Sequence, residues 1–252
     1  MAQIIYGIHP VQEALRSSHT IFEKLFVATK DPPPALKEIL DSARQEQVPV
    51  TLTTREEIDR LTKGGFHQNI AGLIQELSYA DLEEVLARSK KGETSGLLLV
   101  LDGIQDPQNF GSLIRTAVGF GTHGMIIPKD RAVGITPVVM RVAAGATAYL
   151  PIVRVTNIAQ TINRLKREGF WVYGAAGEAK DPIYGLDFTG NLAIVIGSEG
   201  KGIRPLVKKK CDRLFSIPMA GLISSFNASV SGGMILYEVM RQRMMKNKEN
   251  VK

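Results

Sequence analysis

Apolar and polar residues alternate along the first third of the chain in blocks that predict short strands separated by helices. Thr54 and Glu57 stand at the spacing of a capping box, which marks the start of one of these helices. The apolar runs typical of strands are Ile4–Tyr6, Leu25–Ala28, Val48–Thr51 and Ile70–Ile74. Residues 1–76 are therefore predicted to form a small α/β domain.

Residues 77–96 have the composition of a connector between two domains. Asp81–Arg88 fits one short helix, and the polar, glycine-containing stretch that follows it is typical of a turn or linker. A domain boundary is predicted here.

The apolar pattern restarts more strongly at Leu97. Leu97–Leu101 and Leu192–Ile196 are continuous apolar runs, as expected of strands buried on both faces of a parallel sheet. Strands and helices alternate through the rest of the chain and end in a long helix from about Asn227 to Lys246. Residues 97–252 are thus predicted to form an α/β domain around a doubly wound, mostly parallel sheet. Its other predicted strands are Met125–Ile127, Tyr149–Val153, Phe170–Ala175 and Leu214–Ile217.

Composition narrows the class of protein. An apolar fraction of 44% and a charged fraction of 22% are typical of a globular protein, and the net charge of +6 favours an anionic partner, nucleic acid first. Cys211 is the one cysteine and the four histidines are scattered, so we expect no metal site. Without a membrane-length apolar run or a leader pattern, the sequence predicts a cytoplasmic protein with no membrane partner.

Two glycine- and polar-rich turns follow predicted strands. In the first, Asn109 is predicted to cap a helix, and Arg115 lies further along that helix. Arg115 is either an ordinary solvated charge or a bidentate phosphate ligand. In the second, glycines surround Glu199 after a buried strand, a place where a carboxylate has little packing role. This turn matches neither a dinucleotide-binding nor a nucleotide-triphosphatase glycine motif.

A third such turn runs from Ile217 into the terminal helix. Ser225 and Asn227 stand at the head of that helix, where such residues are ordinary caps. Because all three turns follow apolar strands, we expect them to converge on a ligand.

The three turns together resemble the motifs of the SpoU (TrmH-like) RNA ribose methyltransferases. The matching residues are Asn109-x-Gly111-x-x-x-Arg115, then Ile196-Gly-Ser-Glu-Gly200, then Ile217-Pro-Met-x-Gly221 with Ser225-Phe-Asn-x-Ser229. The amino-terminal YGIHPVQEAL is similar to the small RNA-binding domain of the branch that methylates a guanosine of 23S ribosomal RNA. Phe110 and Phe226 stand where family members commonly have Leu, and both keep an apolar residue.

The resemblance implies a trefoil-knotted sheet, a homodimer formed through the catalytic domain, and S-adenosylmethionine as the cofactor. It also implies transfer of a methyl group to a ribose 2′-hydroxyl of RNA, with a guanosine of 23S rRNA as the favoured target. The residues that it places at the cofactor are Gly197, Ile217, Met219, Phe226 and, on a weaker match, Ala175. Those that it places at the reaction are Arg115, Asn109, Glu199, Ser225 and Asn227.

The chemistry of the guanidinium limits the role of Arg115. A guanidinium keeps its proton in proteins, so Arg115 is a poor proton acceptor. We hypothesise that Arg115 stabilises the developing alkoxide or holds the adjacent phosphate, while the other four reaction residues orient Arg115 and the ribose. Arg131 and Arg141 are candidates for further phosphate contacts.

Two other functions remain open from the residues. One is a tRNA ribose methyltransferase, and the other is an RNA-binding protein that keeps the fold without turnover. The intact set of polar residues in the three turns weighs against the second.

Overall fold

The computed structural model describes residues 2–16, 22–75, 79–91, 94–221 and 225–249. The elements follow one another as β1 (Ala2–Tyr6), α1 (Ile8–Arg16), β2 (Phe22–Val27), α2 (Pro34–Gln45), β3 (Val50–Leu52), α3 (Arg55–Thr62), β4 (Ile70–Gln75), α4 (Leu82–Lys90), β5 (Leu97–Asp102), α5 (Pro107–Gly119), β6 (Gly124–Pro128), α6 (Pro137–Ala143), β7 (Ile152–Val155), α7 (Ile158–Arg167), β8 (Trp171–Ala175), β9 (Asp181–Pro182), β10 (Leu192–Gly197), α8 (Pro205–Lys208), β11 (Arg213–Ser216) and α9 (Ala228–Glu249). Single 3₁₀ turns occur at Ala146–Ala148 and Ile183–Gly185.

The chain divides into two compact units, of which the first contains Met1–Ser78 and Gly134–Tyr149. Its sheet has the strand order β1-β4-β2-β3, in which only the β2–β3 pair is parallel. Thr54 caps α3 as expected, because its Oγ1 accepts a hydrogen bond from the Glu57 amide at 3.3 Å. The predicted small α/β arrangement is therefore present.

The segment 134–149 packs in the core of the first unit, although the sequence boundaries assign it to the second domain. Met140 is buried among residues such as Val11 and Leu25. The Tyr149 hydroxyl donates a hydrogen bond to Glu13 Oε2 at 3.1 Å. Tyr149 follows a 3₁₀ turn and makes this contact instead of pairing in the sheet. Strand β7 therefore begins at Ile152 rather than at the predicted Tyr149. The assignment of residues 1–76 and 97–252 to two separate functional domains remains a prediction.

The second unit contains Tyr79–Val133 and Leu150–Lys252, and it is built on a parallel sheet. Its strand order is β7-β6-β5-β10-β8-β11-β9, and every neighbouring pair is parallel. The predicted mostly parallel sheet is confirmed. Strands β5 and β10 are buried along their whole length and lie in register, with Asp102 opposite Gly197 at their carboxyl ends.

Helix α4, which lies in the predicted linker, belongs to the core of this second unit. Val85 and Leu86 pack there with residues of β5, β6 and α7. Two elements were not predicted from the sequence, β9 with two residues and α8 with four, because neither is long enough to show a period. In the described part of the chain, no helix has the length and apolar character needed to cross a membrane. Within the same ranges, no group of three or more His, Cys, Asp or Glu side chains is arranged to hold a metal ion.

Candidate active site

The first turn leads from β5 into α5, and Asp106 caps that helix. The Gln108 amide donates a hydrogen bond to Asp106 Oδ1 at 3.0 Å, and Pro107 occupies the first helical position. The prediction that Asn109 caps α5 is wrong, because the helix begins before it. Asn109 lies inside the first turn of α5, where its side chain is only 5% exposed and free to contact other elements.

The second turn folds back on itself immediately after β10. The Ser198 amide donates to the Gly202 carbonyl at 3.1 Å, and the Gly202 amide donates to the Ser198 carbonyl at 2.9 Å. Only glycine fits at position 197, since a Cβ there would lie 2.0 Å from the Gly202 carbonyl carbon. Gly200 and Gly202 have left-handed φ angles of +77° and +65°, which favour glycine. The result is a tight hairpin that carries the exposed Glu199 near its tip.

Asp102, which sequence reasoning missed, ties this hairpin to β5. Its carboxylate is 1% exposed and accepts hydrogen bonds from the Arg204 amide and from Arg204 Nε, both at 2.8 Å. A buried carboxylate requires such partners. The available signal was an Asp directly after a continuous apolar strand, a position where a charge has no packing role.

The third turn ends at Asn227, which caps α9 as predicted. Asn227 Oδ1 accepts hydrogen bonds from the Ser229 amide at 2.9 Å and the Val230 amide at 3.3 Å. Its Nδ2 donates to Asn109 Oδ1 at 2.8 Å. One side chain therefore caps a helix and also joins the third turn to the first.

A hydrogen-bonded chain, Asn227–Asn109–Glu199, connects all three turns. Asn109 Nδ2 donates to Glu199 Oε1 at 2.7 Å, completing the path from the head of α9 to the glycine hairpin. The bonds run in one direction, since each amide oxygen accepts and each amide nitrogen donates, with the carboxylate as the final acceptor. The other end is fixed to backbone amides of α9, so the chain ties one carboxylate oxygen of Glu199 to the head of that helix.

Arg115 and Ser225 lie outside this chain. Both are exposed, and neither side chain makes a hydrogen bond or ion pair with any residue that the structure describes. Arg115 stands six residues after Asn109 on α5, about 9 Å further along the axis and on another face. The structure thus brings together three of the five predicted reaction residues, and among the described residues no hydrogen bond links them to Arg115.

Three of the five predicted cofactor residues lie at the carboxyl ends of three neighbouring strands. Ala175 ends β8, Gly197 ends β10, and Ile217 directly follows β11. Ile217, Met219 and Phe226 are half-buried. Within the described ranges, the peptide groups of Ile217 and Met219 make no hydrogen bonds. Half-buried apolar side chains beside unpaired peptide groups fit an adenine ring, which needs apolar faces and hydrogen bonds at its edge.

Comparison with known proteins decides the family. Residues 96–237 match the model described as the SpoU rRNA Methylase family, and residues 4–80 match RNA 2′-O ribose methyltransferase substrate binding. The chain belongs to the SpoU rRNA methylase family. The expectation of an S-adenosylmethionine-dependent RNA ribose methyltransferase is confirmed by this membership.

Relatives and solved structures match nearly the whole chain. The 23S rRNA (guanosine-2′-O-)-methyltransferase RlmB of Coxiella burnetii is 44% identical over 239 residues, covering 95% of each chain. The RlmB of Pseudomonas putida is 42% identical and covers 96% of this chain and 97% of its own. The SpoU methyltransferase AviRb from Streptomyces viridochromogenes, solved in complex with the cofactor AdoMet, shares the fold with a TM-score of 0.81 at 24% identity, covering 97% of this chain and 91% of that one.

Proposed function

We propose that this SpoU-family enzyme methylates the ribose 2′-hydroxyl of a guanosine in 23S rRNA. The observation that carries the proposal is the Asn227–Asn109–Glu199 chain, which links the three family motifs at the carboxyl edge of the sheet. The RlmB relatives, whose name specifies this substrate, support the choice of target. A ribosomal substrate points to the cytoplasm as the place of action.

The reaction places two demands on the protein. S-adenosylmethionine, when bound, supplies an electrophilic methyl group. The protein must hold the ribose oxygen in line with that group and must stabilise the negative charge that develops as the hydroxyl proton leaves. The half-buried Ile217, Met219 and Phe226 would hold the cofactor, together with backbone at Gly197 and, more weakly, Ala175.

Glu199 and Arg115 would act on the RNA. Asn109 occupies one carboxylate oxygen of Glu199, and the other makes no hydrogen bond within the described residues, so it is available to a ribose hydroxyl. Arg115 is exposed and without partners in the same part of the chain, so its five donors are available to the adjacent phosphate or the developing alkoxide. Ser225, also exposed, would supply a further hydrogen bond to the ribose.

The direct experiment is methyl transfer from labelled S-adenosylmethionine to 23S rRNA that lacks its own 2′-O-methyl groups, followed by mapping of the modified nucleotide. We expect a single 2′-O-methylguanosine, and no transfer to the same RNA carrying 2′-deoxyguanosine at that position. Transfer to tRNA transcripts in preference to 23S rRNA would instead identify a tRNA enzyme. Cofactor binding with no transfer to any RNA would identify a non-catalytic RNA-binding protein.

The proposed enzyme is a homodimer, and α9 carries the surface that supports this. One face of α9 is buried through Ile235, Leu236 and Val239, while a second face exposes apolar side chains at Val230, Met234, Tyr237, Met244 and Met245. These positions recur at helical spacing, and exposed apolar stripes of this kind mark interaction surfaces. Tyr237→Glu should convert a dimer to a monomer in sedimentation, whereas Tyr184→Glu, at an exposed tyrosine outside α9, should not. An unchanged dimer in Tyr237→Glu would exclude this face.

The trefoil knot is also part of the proposal. After β11, the chain returns past β8 and β10 to pack α9 against α5, where Gly232 lies against Leu113. Helix α9 also contacts the 3₁₀ turn at Ile183–Gly185, between β8 and β10. This return path supports threading of the carboxyl-terminal segment through the connection that follows β8.

A further inference from the structure

A pocket lies at the amino end of the parallel sheet, the opposite end from the three motifs. It is lined by the first residues of three neighbouring strands, Trp171 of β8, Leu192 of β10 and Arg213 of β11, and its volume is about 430 Å³. With six residues in β10, about 20 Å of strand separates this pocket from the motif turns. It is therefore a separate feature from the candidate active site.

The pocket combines an exposed aromatic plane with two cations. Trp171, the single tryptophan of the chain, is 58% exposed, although tryptophan side chains are on average largely buried in folded proteins. Arg213 and Lys246 line the same pocket. Arg213 is only loosely paired, at 3.8 Å from Asp181, and Lys246 donates a hydrogen bond to Thr189 at 3.1 Å. Both cations keep donors for a further anion.

The floor of the pocket carries a tyrosine hydroxyl that has no hydrogen-bond partner among the described residues. Tyr173 is only 8% exposed and lines the pocket, yet its hydroxyl makes no hydrogen bond within the described residues. Burial, followed by the charge of Asp187, raises the pKa of Tyr173, so the hydroxyl stays protonated and can donate. The hydroxyl is therefore available to donate a hydrogen bond to a polar group that enters the pocket.

The wall of the pocket is held rigidly by α9. Gln242 accepts a hydrogen bond from the Phe188 amide at 2.9 Å and donates to the Leu186 carbonyl at 3.0 Å. Arg243 donates to the Gly190 carbonyl at 2.8 Å. Asp187 is fixed by the Thr189 amide at 2.8 Å and the Thr189 hydroxyl at 2.7 Å, both on Oδ1, which leaves its Oδ2 available. A fixed wall lowers the entropic cost of binding.

We propose that this pocket binds an unpaired nucleotide of the RNA substrate, at a place about 20 Å from the reacting ribose. The base stacks on Trp171, the Asp187 carboxylate accepts from base N–H groups, and the Tyr173 hydroxyl bonds the base or ribose. Arg213 and Lys246 contact the flanking phosphates. Aromatic stacking with basic side chains is the usual way that proteins hold single-stranded RNA, whereas the faces of paired bases are covered by their neighbours.

The single tryptophan makes the site directly observable. Emission of Trp171 in the full-length protein is titrated with a short unstructured RNA, with the same RNA paired in a blunt duplex, and with inorganic phosphate. We expect strong quenching by the single strand and little by the other two. Arg213→Ala and Lys246→Ala should each raise the Kd several-fold and lower the salt slope by about 0.7 per lost phosphate contact. Arg167→Ala, at an exposed arginine outside the pocket, should change neither.

Methyl-transfer kinetics provide the second readout, which rests on the proposed function. Trp171→Ala should raise KM for a long RNA about tenfold with kcat unchanged, and Trp171→Phe should restore part of the loss. No quenching by single-stranded RNA, equal quenching by duplex or phosphate, or unchanged Kd in both cation variants would overturn the proposal. Quenching without methyl transfer to any RNA would support this nucleotide site and refute the proposed function. Methyl transfer without quenching would support the proposed function and refute this site.

Discussion

The two ends of the parallel sheet place arginines in opposite environments. On α5, the helix that starts at the carboxyl end, the side chain of Arg115 is exposed and has no hydrogen bond or ion pair with any described residue. At the amino end, Arg243 donates to the carbonyls of Ser95 at 2.7 Å, Gly96 at 3.1 Å, Phe188 at 3.3 Å and Gly190 at 2.8 Å. Burial lowers the pKa of Arg243 to about 10, so it remains charged at neutral pH.

The difference separates a side chain that stabilises the fold from one that is available to substrate. Of the four carbonyls, only that of Gly96 has another donor among the described residues, the Leu192 amide at 2.9 Å, so removing Arg243 affects stability. Arg115 satisfies nothing in the described part of the chain, so removing it should affect only ligands. Asn109 and Asn227 fall between these cases, because Asn227 caps α9 and bonds Asn109, which in turn bonds Glu199.

Arg115→Ala should produce the largest change in activity. If Arg115 stabilises developing charge, methyl transfer should fall about 100- to 1000-fold in kcat, as when one oxyanion donor is removed. The free energy of unfolding in urea should change by less than about 0.5 kcal/mol, as for other exposed side chains. Arg115→Lys should recover only part of the activity, since lysine lacks the planar fork. Near-normal activity in Arg115→Ala would remove this residue from the mechanism.

Arg243→Met should give the opposite pattern. The carbonyls of Ser95, Phe188 and Gly190 lose their donor among the described residues, and we expect a loss of about 3 kcal/mol in the free energy of unfolding. The kcat of the folded variant should change little. Arg241→Met is the matched control, because Arg241 forms a partly exposed ion pair with Glu238 and should cost less than about 1 kcal/mol. If both variants unfolded at the same urea concentration, Arg243 would not anchor the amino end.

Gly197→Ala tests whether the glycine hairpin at the carboxyl end of the sheet contributes to cofactor binding. A Cβ at this position would lie 2.1 Å from the Ile203 amide nitrogen, so the glycine hairpin must move. We expect S-adenosylmethionine affinity, measured by calorimetric titration, to fall about tenfold, as a loss of about 1.4 kcal/mol in binding implies. Gly119→Ala is the control, since no atom lies within 4 Å of the added Cβ. Unchanged affinity in Gly197→Ala would separate the hairpin from the cofactor site.

Sequence patterns predicted the parts of the molecule that depend on local periodicity. The continuous apolar runs of β5 and β10 identified the centre of the sheet. Because parallel strands have their carboxyl ends at one edge, the turns that follow them were predicted to lie close together. Periodicity could not identify which side chains bond, since Asn109 and Asn227 are 118 positions apart. Periodicity also gave no signal for Arg243. An arginine near the end of a helix is usually exposed to solvent, whereas the carbonyl partners of Arg243 come from loops distant in sequence.

The central claim is that Asn227, Asn109 and Glu199 position the reacting ribose as one unit, and a double-mutant cycle tests it most directly. The kcat/KM for methyl transfer is measured for Asn109→Ala, Glu199→Ala and the double variant. If the chain acts as a unit, each single change should lower kcat/KM at least about tenfold, and the double variant should be no worse than the poorer single one. Independent losses that multiply in the double variant would contradict the account.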